Sequence, residues 1–206
     1  ADDKSKEYGE ANPAFTVSYT GFKGADSATD LDTAPTASSV AVATTNAGTA
    51  TITTSVGSDD NYNITTINGT LTIGKATLTA TADDKTRTFG QANPVFTITY
   101  SGFKGSDSAH DLDTAPMASS TANATTAAGT VSIDMSTGLD NNYTVVTVNG
   151  TLTILADTDG DGISDNIDDD DDNDGVSDAD DNSYLPNPDQ ADTNNNGIGD
   201  VQEDCD

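Results

Sequence analysis

The chain has 206 residues, of which 35 are acidic and 7 are basic, so its formal net charge is −28. A field of this sign repels nucleic acids and anionic membranes, and no apolar run is long enough to span a bilayer. Only 33% of the residues are hydrophobic and none is tryptophan. One large core is therefore not expected, and several small domains are favoured.

The first three quarters of the chain consist of one pattern used twice. Of residues 1–73, 47 are identical to the residue 81 positions later, without a gap. A period of this length indicates a small domain in tandem, with boundaries at 1–74 and 75–156. The second copy has a lead-in, Thr77–Thr81, whose counterpart would precede residue 1. We therefore expect the sequence to be part of a longer protein and the first copy to lack its first strand.

Both copies alternate apolar residues with Thr or Ser, which is typical of half-buried strands. Phe15–Tyr19 and Phe96–Tyr100 are the clearest runs, and the same pattern places Ile52, Leu78 and Leu152 in strands. No segment has helical period and length. The sequence therefore predicts an all-β fold.

An Asn-Gly pair precedes the last apolar run of each copy, at Asn68-Gly69 and Asn149-Gly150. Asn-Gly between two alternating runs is a strong hairpin signal. A single strand with a glycine bulge is the alternative.

No catalytic constellation is found in the two copies. The only histidine, His110, is matched by Thr29 in the first copy, so it is not part of the shared pattern. The Asp-Leu-Asp pairs of the two copies are interpreted as solvated turn residues. The single cysteine, Cys205, excludes an internal disulfide. We expect no enzymatic activity.

The stretches YGEANPAFTVSYTGF from Tyr8 and FGQANPVFTITYSGF from Phe89, with an NGTLTI ending in each copy, resemble the MBG domain family of the YGX type. The resemblance covers residues 1–155, although Phe89 replaces the signature tyrosine. It implies tandem repeats of a large bacterial surface protein or adhesin, secreted to the cell surface, with surface glycan or glycoprotein as a partner. Because no helical segment is present, an immunoglobulin-like sandwich is preferred for each domain, with a β-grasp-like fold as the alternative.

The acidic segment, residues 157–206, contains 19 acidic residues and no basic ones. Three runs in it match positions 1, 3, 5, 7, 9 and 12 of a calcium loop, with glycine at position 6 for the sharp turn. Oxygen ligands alone, without His or Cys, favour Ca²⁺ over Zn²⁺ or Mg²⁺. The alternative, a solvated acidic tail, does not require glycines in register. The predicted ligands are Asp157, Asp159, Asp161, Ile163, Asp165 and Asp168; Asp170, Asp172, Asp174, Val176, Asp178 and Asp181; and Asp192, Asn194, Asn196, Ile198, Asp200 and Glu203.

The loop starts are 13 and then 22 residues apart, and residues 157–204 resemble thrombospondin type 3 repeats. That resemblance implies an irregular chain wrapped around calcium ions. Ser183 and Gln202 stand where the family often has cysteines, so ordering must rely on the ions. The first loop also looks like that of a dockerin, but no helical pattern follows it.

The combined expectation is a non-enzymatic stalk of two β-domains with a calcium-rigidified connector, joined to neighbouring domains of a longer chain. The alternatives are a glycan- or mucin-binding adhesive module and, less favoured, a dockerin-like docking module.

Overall fold

A computed structural model describes residues 1–173 and 175–178, and these contain eleven strands and two 3-10 turns. The strands are β1 (Lys4–Glu7), β2 (Ala37–Ser38), β3 (Gly48–Thr54), β4 (Gly69–Gly74), β5 (Ala76–Ala82), β6 (Lys85–Thr88), β7 (Ile98–Ser101), β8 (Ala118–Ser119), β9 (Gly129–Met135), β10 (Tyr143–Val148) and β11 (Gly150–Leu155). The 3-10 turns are Ala28–Asp30 and Ala109–Asp111. The all-β prediction is confirmed.

Each repeat forms a four-stranded sheet, in the order β1-β4-β3-β2 for the first repeat and β6-β11-β9-β8 for the second. β1 pairs with β4, and β6 with β11, in parallel, whereas the other strand pairs of these two sheets are antiparallel. The register is the same in both sheets: Lys4 lies opposite Leu71, and Lys85 opposite Leu152. Because both residues of each pair shift by 81, the sequence period is also a structural period.

A third sheet has the order β10-β5-β7. Its central strand, β5, buries Ala76, Leu78 and Ala80 completely. The counterparts of β7 and β10 in the first repeat, residues 17–20 and 62–67, are described but lie in no strand. The predicted strand at Phe15–Tyr19 is therefore wrong, and we attribute this to the missing central strand that would hydrogen-bond to it.

The described chain forms two compact units. The first consists of Ala1–Ala80, Tyr100–Pro116 and Thr137–Val146, so it includes residues of both repeats. The second consists of Thr81–Thr99, Met117–Ser136 and the described residues from Thr147 onward.

Each unit has its own apolar core at equivalent positions. Ile52 and Leu71 are fully buried in the first unit, and Ile133 and Leu152, 81 positions later, are fully buried in the second. Full burial of one such side chain contributes roughly 1.5–3 kcal/mol. These four positions lie on strands β3, β4, β9 and β11, so the strand positions predicted for Ile52 and Leu152 are confirmed.

The Asn-Gly pairs do not form hairpins. β10 and β11 follow each other across Asn149, yet they belong to different sheets, so the hairpin prediction is wrong. A Cβ at Gly150 would lie 2.5 Å from the Ala82 carbonyl oxygen, and one at Gly69 would lie 2.8 Å from that of Ala1. Glycine is needed here for close backbone approach rather than for a tight turn.

Each repeat buries one cation, on β1 in the first repeat and on β6 in the second. The Lys6 ammonium donates to the carbonyl oxygens of Glu10 (2.9 Å) and Val42 (2.7 Å). The equivalent Arg87 donates to Asn93 Oδ1 at 2.9 Å and to the Asn123 carbonyl at 2.6 Å. Both side chains are less than 8% exposed, and these bonds offset part of their desolvation.

Candidate metal centre

Three carboxylates converge shortly after the end of β11. Asp157, Asp159 and Asp161 each present an oxygen atom, and these atoms all lie within 4.8 Å of one another. Calcium holds its oxygen ligands at about 2.3–2.6 Å, so two ligands on opposite sides of one ion are about 5 Å apart. The spacing of the three oxygens therefore fits a shared calcium ion.

The backbone of this first acidic loop, residues 157–168, is curled by its own carboxylates. Asp157 Oδ1 accepts from the Gly160 N–H at 3.0 Å, and Asp161 Oδ1 accepts from the Ile163 N–H at 2.7 Å. Gly160 and Gly162 have φ of 79° and 96°, a conformation that side chains other than glycine rarely adopt. These two glycines turn the loop so that alternate acids face the same point.

One further bond of the first acidic loop has an equivalent 13 residues later, in the second loop. Asp165 Oδ1 accepts from the Thr158 N–H at 2.8 Å, and Asp178 Oδ1 accepts from the Asp171 N–H at 2.8 Å. Position 9 of each loop thus binds the backbone of position 2. The loop register read from the sequence therefore recurs in the backbone geometry of both loops.

Asp165 also uses its second oxygen, because Oδ2 accepts from the Thr158 hydroxyl at 2.9 Å. A carboxylate with both oxygens in hydrogen bonds is a weaker direct ligand. Position 9 of calcium loops often reaches the ion through a water molecule, and this arrangement is compatible with that role.

The remaining predicted ligands with described positions lie in the second half of the first loop and in the start of the second. Asp168 Oδ1 accepts from the Asp170 N–H at 3.1 Å, and Asp170 Oδ2 accepts from the Gly175 N–H at 3.0 Å. Asp172 is buried, Val176 is half-buried and the Ile163 side chain is 45% exposed. The predicted ligands Asp174, Asp181, Asp192, Asn194, Asn196, Ile198, Asp200 and Glu203 lie outside the described residues.

Asp171 was not among the ligands predicted from the sequence, because it occupies position 2 of the second loop. Burial raises the pKa of its carboxyl, and the charges of Asp178, Asp165, Asp168 and Asp159 raise that pKa further. Five acidic groups therefore share one field of negative potential. The signal that would have identified Asp171 is the unbroken run of five aspartates from 168 to 172.

Within the described residues of the acidic segment, 157–173 and 175–178, the chain contains turns and bends but neither helix nor strand. The helix that a dockerin places after its first loop is not formed in this part of the chain. In the chain as far as it is described, no helix has the length and apolar character needed to cross a membrane.

Comparisons with known proteins identify the repeats. The family description "MBG domain (YGX type)" matches residues 1–72 and again residues 78–153, which together make up more than half of the chain. Searches of curated proteins and of solved structures find no significant match. The chain therefore belongs to the MBG domain family of the YGX type, whose members are non-catalytic repeat modules found in bacterial surface proteins.

Proposed function

We propose that the acidic segment binds calcium and that the chain acts as a repeat stalk with a calcium-rigidified connector at the bacterial cell surface. The observation that carries this proposal is the convergence of the Asp157, Asp159 and Asp161 oxygens within 4.8 Å. Two unit charges at this separation repel each other by roughly 1 kcal/mol in water and by more in a less polar environment. A divalent cation between them changes this repulsion into attraction.

The two-loop geometry supports calcium rather than a general screening of charge by salt. Position 9 bonds to position 2 in both loops, with the same distance of 2.8 Å. Gly162 and Gly175, at position 6 of each loop, both have positive φ. A solvated acidic tail has no need of a repeated backbone conformation, whereas a loop that folds around an ion does.

The proposed mechanism is electrostatic ordering of the connector. Without a cation, mutual repulsion favours an extended acidic segment. With calcium bound, the carboxylates become ligands and the segment becomes compact and rigid. We propose an affinity on the order of 10⁻⁴–10⁻³ M, the range of extracellular modules.

Calcium titration of the whole chain by isothermal calorimetry tests this function, with magnesium as the competing ion. The double variant Asp159→Asn/Asp161→Asn is expected to lose the heat of calcium binding that comes from the first loop. The double variant Glu7→Gln/Asp60→Asn removes the same charge from exposed positions outside the acidic segment, and it is expected to bind like the native chain. The proposal is contradicted if the native chain shows no heat of calcium binding, or if both double variants lose the same amount of this heat.

A further inference from the structure

Two turns of the chain have the same backbone but different side chains. The first corner, residues 7–10, ends β1, and the second corner, residues 88–91, ends β6. Gly9 and Gly90 have φ of 83° and 80°, and in each corner the N–H of the last residue donates to the carbonyl of the first, at 3.2 and 3.3 Å. The first corner has the sequence Glu-Tyr-Gly-Glu and the second has Thr-Phe-Gly-Gln. Two carboxylates and a phenol are therefore present in the first corner only.

The first corner contacts the second repeat within the first compact unit. The Tyr8 hydroxyl donates to Asp107 Oδ2 at 2.9 Å. The aliphatic stem of Lys104 lies over Gly9, so that a Cβ at Gly9 would stand 2.8 Å from Lys104 Cδ. Residues 104–107 of the second repeat therefore use both the phenol and the space that glycine leaves open.

The residues that receive the first corner have identical counterparts in the first repeat. The Tyr143 hydroxyl donates to Asp107 Oδ2 at 2.7 Å, and the equivalent Tyr62 hydroxyl donates to Asp26 Oδ2 at 2.7 Å. The receiving set thus has the same residues and the same internal bond in both repeats. The difference between the two repeats arises at their corners.

The second corner contacts the first acidic loop within the second compact unit. A Cβ at Gly162 would stand 3.0 Å from Nε2 of Gln91. The space over Gly90 is open, because in the described chain a Cβ there would meet no atom within 4 Å apart from its chain neighbours. The acidic loop therefore lies against the last residue of the corner, and no lysine stem of the described chain covers its glycine.

The side chains of the second corner suit an acidic neighbour. Thr88 and Gln91 replace the two glutamates, so the corner adds no carboxylate beside the aspartates of the loop, where like charges would repel. The Gln91 amide is neutral, and its Nε2 is a hydrogen-bond donor that suits the oxygen atoms of the loop. Phe89 lacks the hydroxyl that Tyr8 donates to Asp107, and its half-buried ring packs against the core of the second unit without needing a polar partner.

We propose that the corner of each repeat selects the segment that follows it. A tyrosine with glutamates at the ends of the corner receives another MBG repeat, through the equivalents of Lys104 and Asp107. A phenylalanine with threonine and glutamine at these ends receives the acidic segment, so the second corner is the docking surface of the first acidic loop. This assignment extends the proposed stalk function, and it depends on side-chain contacts rather than on which cation the loop binds.

Nuclear magnetic resonance of the whole chain tests the docking directly. A nuclear Overhauser effect is expected between the side-chain amide protons of Gln91 and the Hα protons of Gly162, and it is measured once with calcium and once with chelator. Its detection does not require any heat of calcium binding, so failure of the docking and failure of the calcium function are distinguishable. Absence of the effect in both conditions overturns the proposal.

A variant of the second corner tests the matching of side chains. Thr88→Glu/Phe89→Tyr gives this corner the first two residues of the first corner and keeps Gln91 as the probe. The Overhauser effect to Gly162 is expected to lose most of its intensity. The control Thr151→Glu adds the same charge at an exposed position at the other end of β11 and is expected to keep the effect. An unchanged effect in the corner variant, or an equal loss in the control, overturns the proposal.

The reciprocal variant tests the first corner. Three substitutions in the whole chain give it the sequence of the second corner: Glu7→Thr, Tyr8→Phe and Glu10→Gln. Hydrogen exchange at the amides of Lys104 and Asp107 is expected to become about tenfold faster or more, because the bond to Asp107 is lost. The control Tyr62→Phe removes a phenol outside the corner and is expected to leave these two amides unchanged. Native exchange at both amides in the corner variant, or the same acceleration in the control, overturns the proposal.

Discussion

Tyr8 and Asp107 lie 99 residues apart in the chain and are joined by a hydrogen bond of 2.9 Å from the phenol to Oδ2. The same oxygen accepts a second bond, of 2.7 Å, from Tyr143, and the two tyrosine rings meet edge to face with centroids 5.5 Å apart. Tyr8 belongs to the first repeat, whereas Asp107 and Tyr143 belong to the second. All three lie in the first compact unit, which this network holds together across the repeat boundary.

Replacing Tyr8 by Phe keeps the ring contact and removes the bond to Asp107. A hydrogen bond to a charged group contributes about 1.5–3 kcal/mol, so the free energy of unfolding is expected to fall by this amount. Urea unfolding followed by circular dichroism measures it. The control is Tyr62→Phe, which loses a 2.7 Å bond to Asp26 at an exposed site and should cost less than about 1 kcal/mol. A smaller loss at Tyr8 than at Tyr62 contradicts the prediction.

The same network predicts sensitivity to alkali. Burial raises the pKa of Tyr143 to about 12, and the bond to Asp107 acts in the same direction. Because the folded state favours the protonated phenol, its contribution to stability is complete below pH 10 and is lost as the pH rises from 10 to 12. Urea unfolding at pH 9 and 11 is expected to show this loss in the native chain and a smaller one in Tyr143→Phe. Equal losses in the two proteins would refute the assignment to Tyr143.

The sequence predicted the strands well where the pattern and the tertiary context agree. Leu78 and Leu152 alternate with Thr, and both are fully buried in strands. Phe15–Tyr19 has the same pattern and forms no strand. A strand also needs a neighbouring strand to which its backbone can hydrogen-bond. The pattern within a segment carries no information on whether its partner is present.

The composition of the compact units could not be predicted from the repeat. Identity at an offset of 81 shows which segments are alike, but not which copy each segment packs against. Residues 100–116 and 137–146 lie in the same unit as the first repeat although they belong to the second by sequence. The bond between Tyr8 and Asp107 also joins residues of the two repeats and could not be predicted from the repeat. Phe89, the equivalent of Tyr8 in the second repeat, has no hydroxyl to donate.

The candidate metal site was also predicted only in part. The loop register depends on local spacing, and the sequence predicted positions 1, 3 and 5 of the first loop, which the fold brings together. Asp171 was missed because its environment depends on how two loops approach each other. Its neighbours include Asp159 and Asp165 of the first loop, which are 12 and 6 residues away, and a template of a single loop does not contain such pairs.

Acid should weaken the second unit through Asp83. Hydrogen bonds from the Thr97 and Thr99 hydroxyls lower the pKa of this carboxyl below its ordinary value of 3.8. A lowered pKa means that the stabilisation is present above pH 3.8 and is lost as the pH falls through the folded-state value. The difference in unfolding midpoint between the native chain and Asp83→Ala should therefore shrink on going from pH 6 to pH 2. The control Asp60→Ala changes an exposed acid and should show no such trend.

Truncation of equivalent core residues should destabilise the two units separately. Leu71→Ala and Leu152→Ala each remove a fully buried side chain, and each is expected to cost roughly 2–5 kcal/mol. Hydrogen exchange read at β3 and β9 should show faster opening at β3 for the first variant and at β9 for the second. The controls are Thr70→Ala and Thr151→Ala, which change exposed residues next to the two leucines on β4 and β11. Each control should cost less than about 0.5 kcal/mol. Equal exchange at β3 and β9 in both leucine variants would contradict separate cores.

The last prediction concerns the first acidic loop. Asp161→Ala removes one of the three converging oxygens and also the acceptor of the Ile163 N–H, so both the ion site and the turn at Gly162 lose support. In calcium, limited proteolysis is expected to cut this variant fastest within residues 157–168, and the second loop should follow because Asp159, Asp165 and Asp168 act on Asp171. After chelation the variant and the native chain should be cut at similar rates, since the aspartate then contributes repulsion rather than a ligand. The Asp60→Ala control should resemble the native chain in both conditions. Cutting of the native acidic segment at one rate with calcium and with chelator would contradict both this prediction and the calcium function on which it rests.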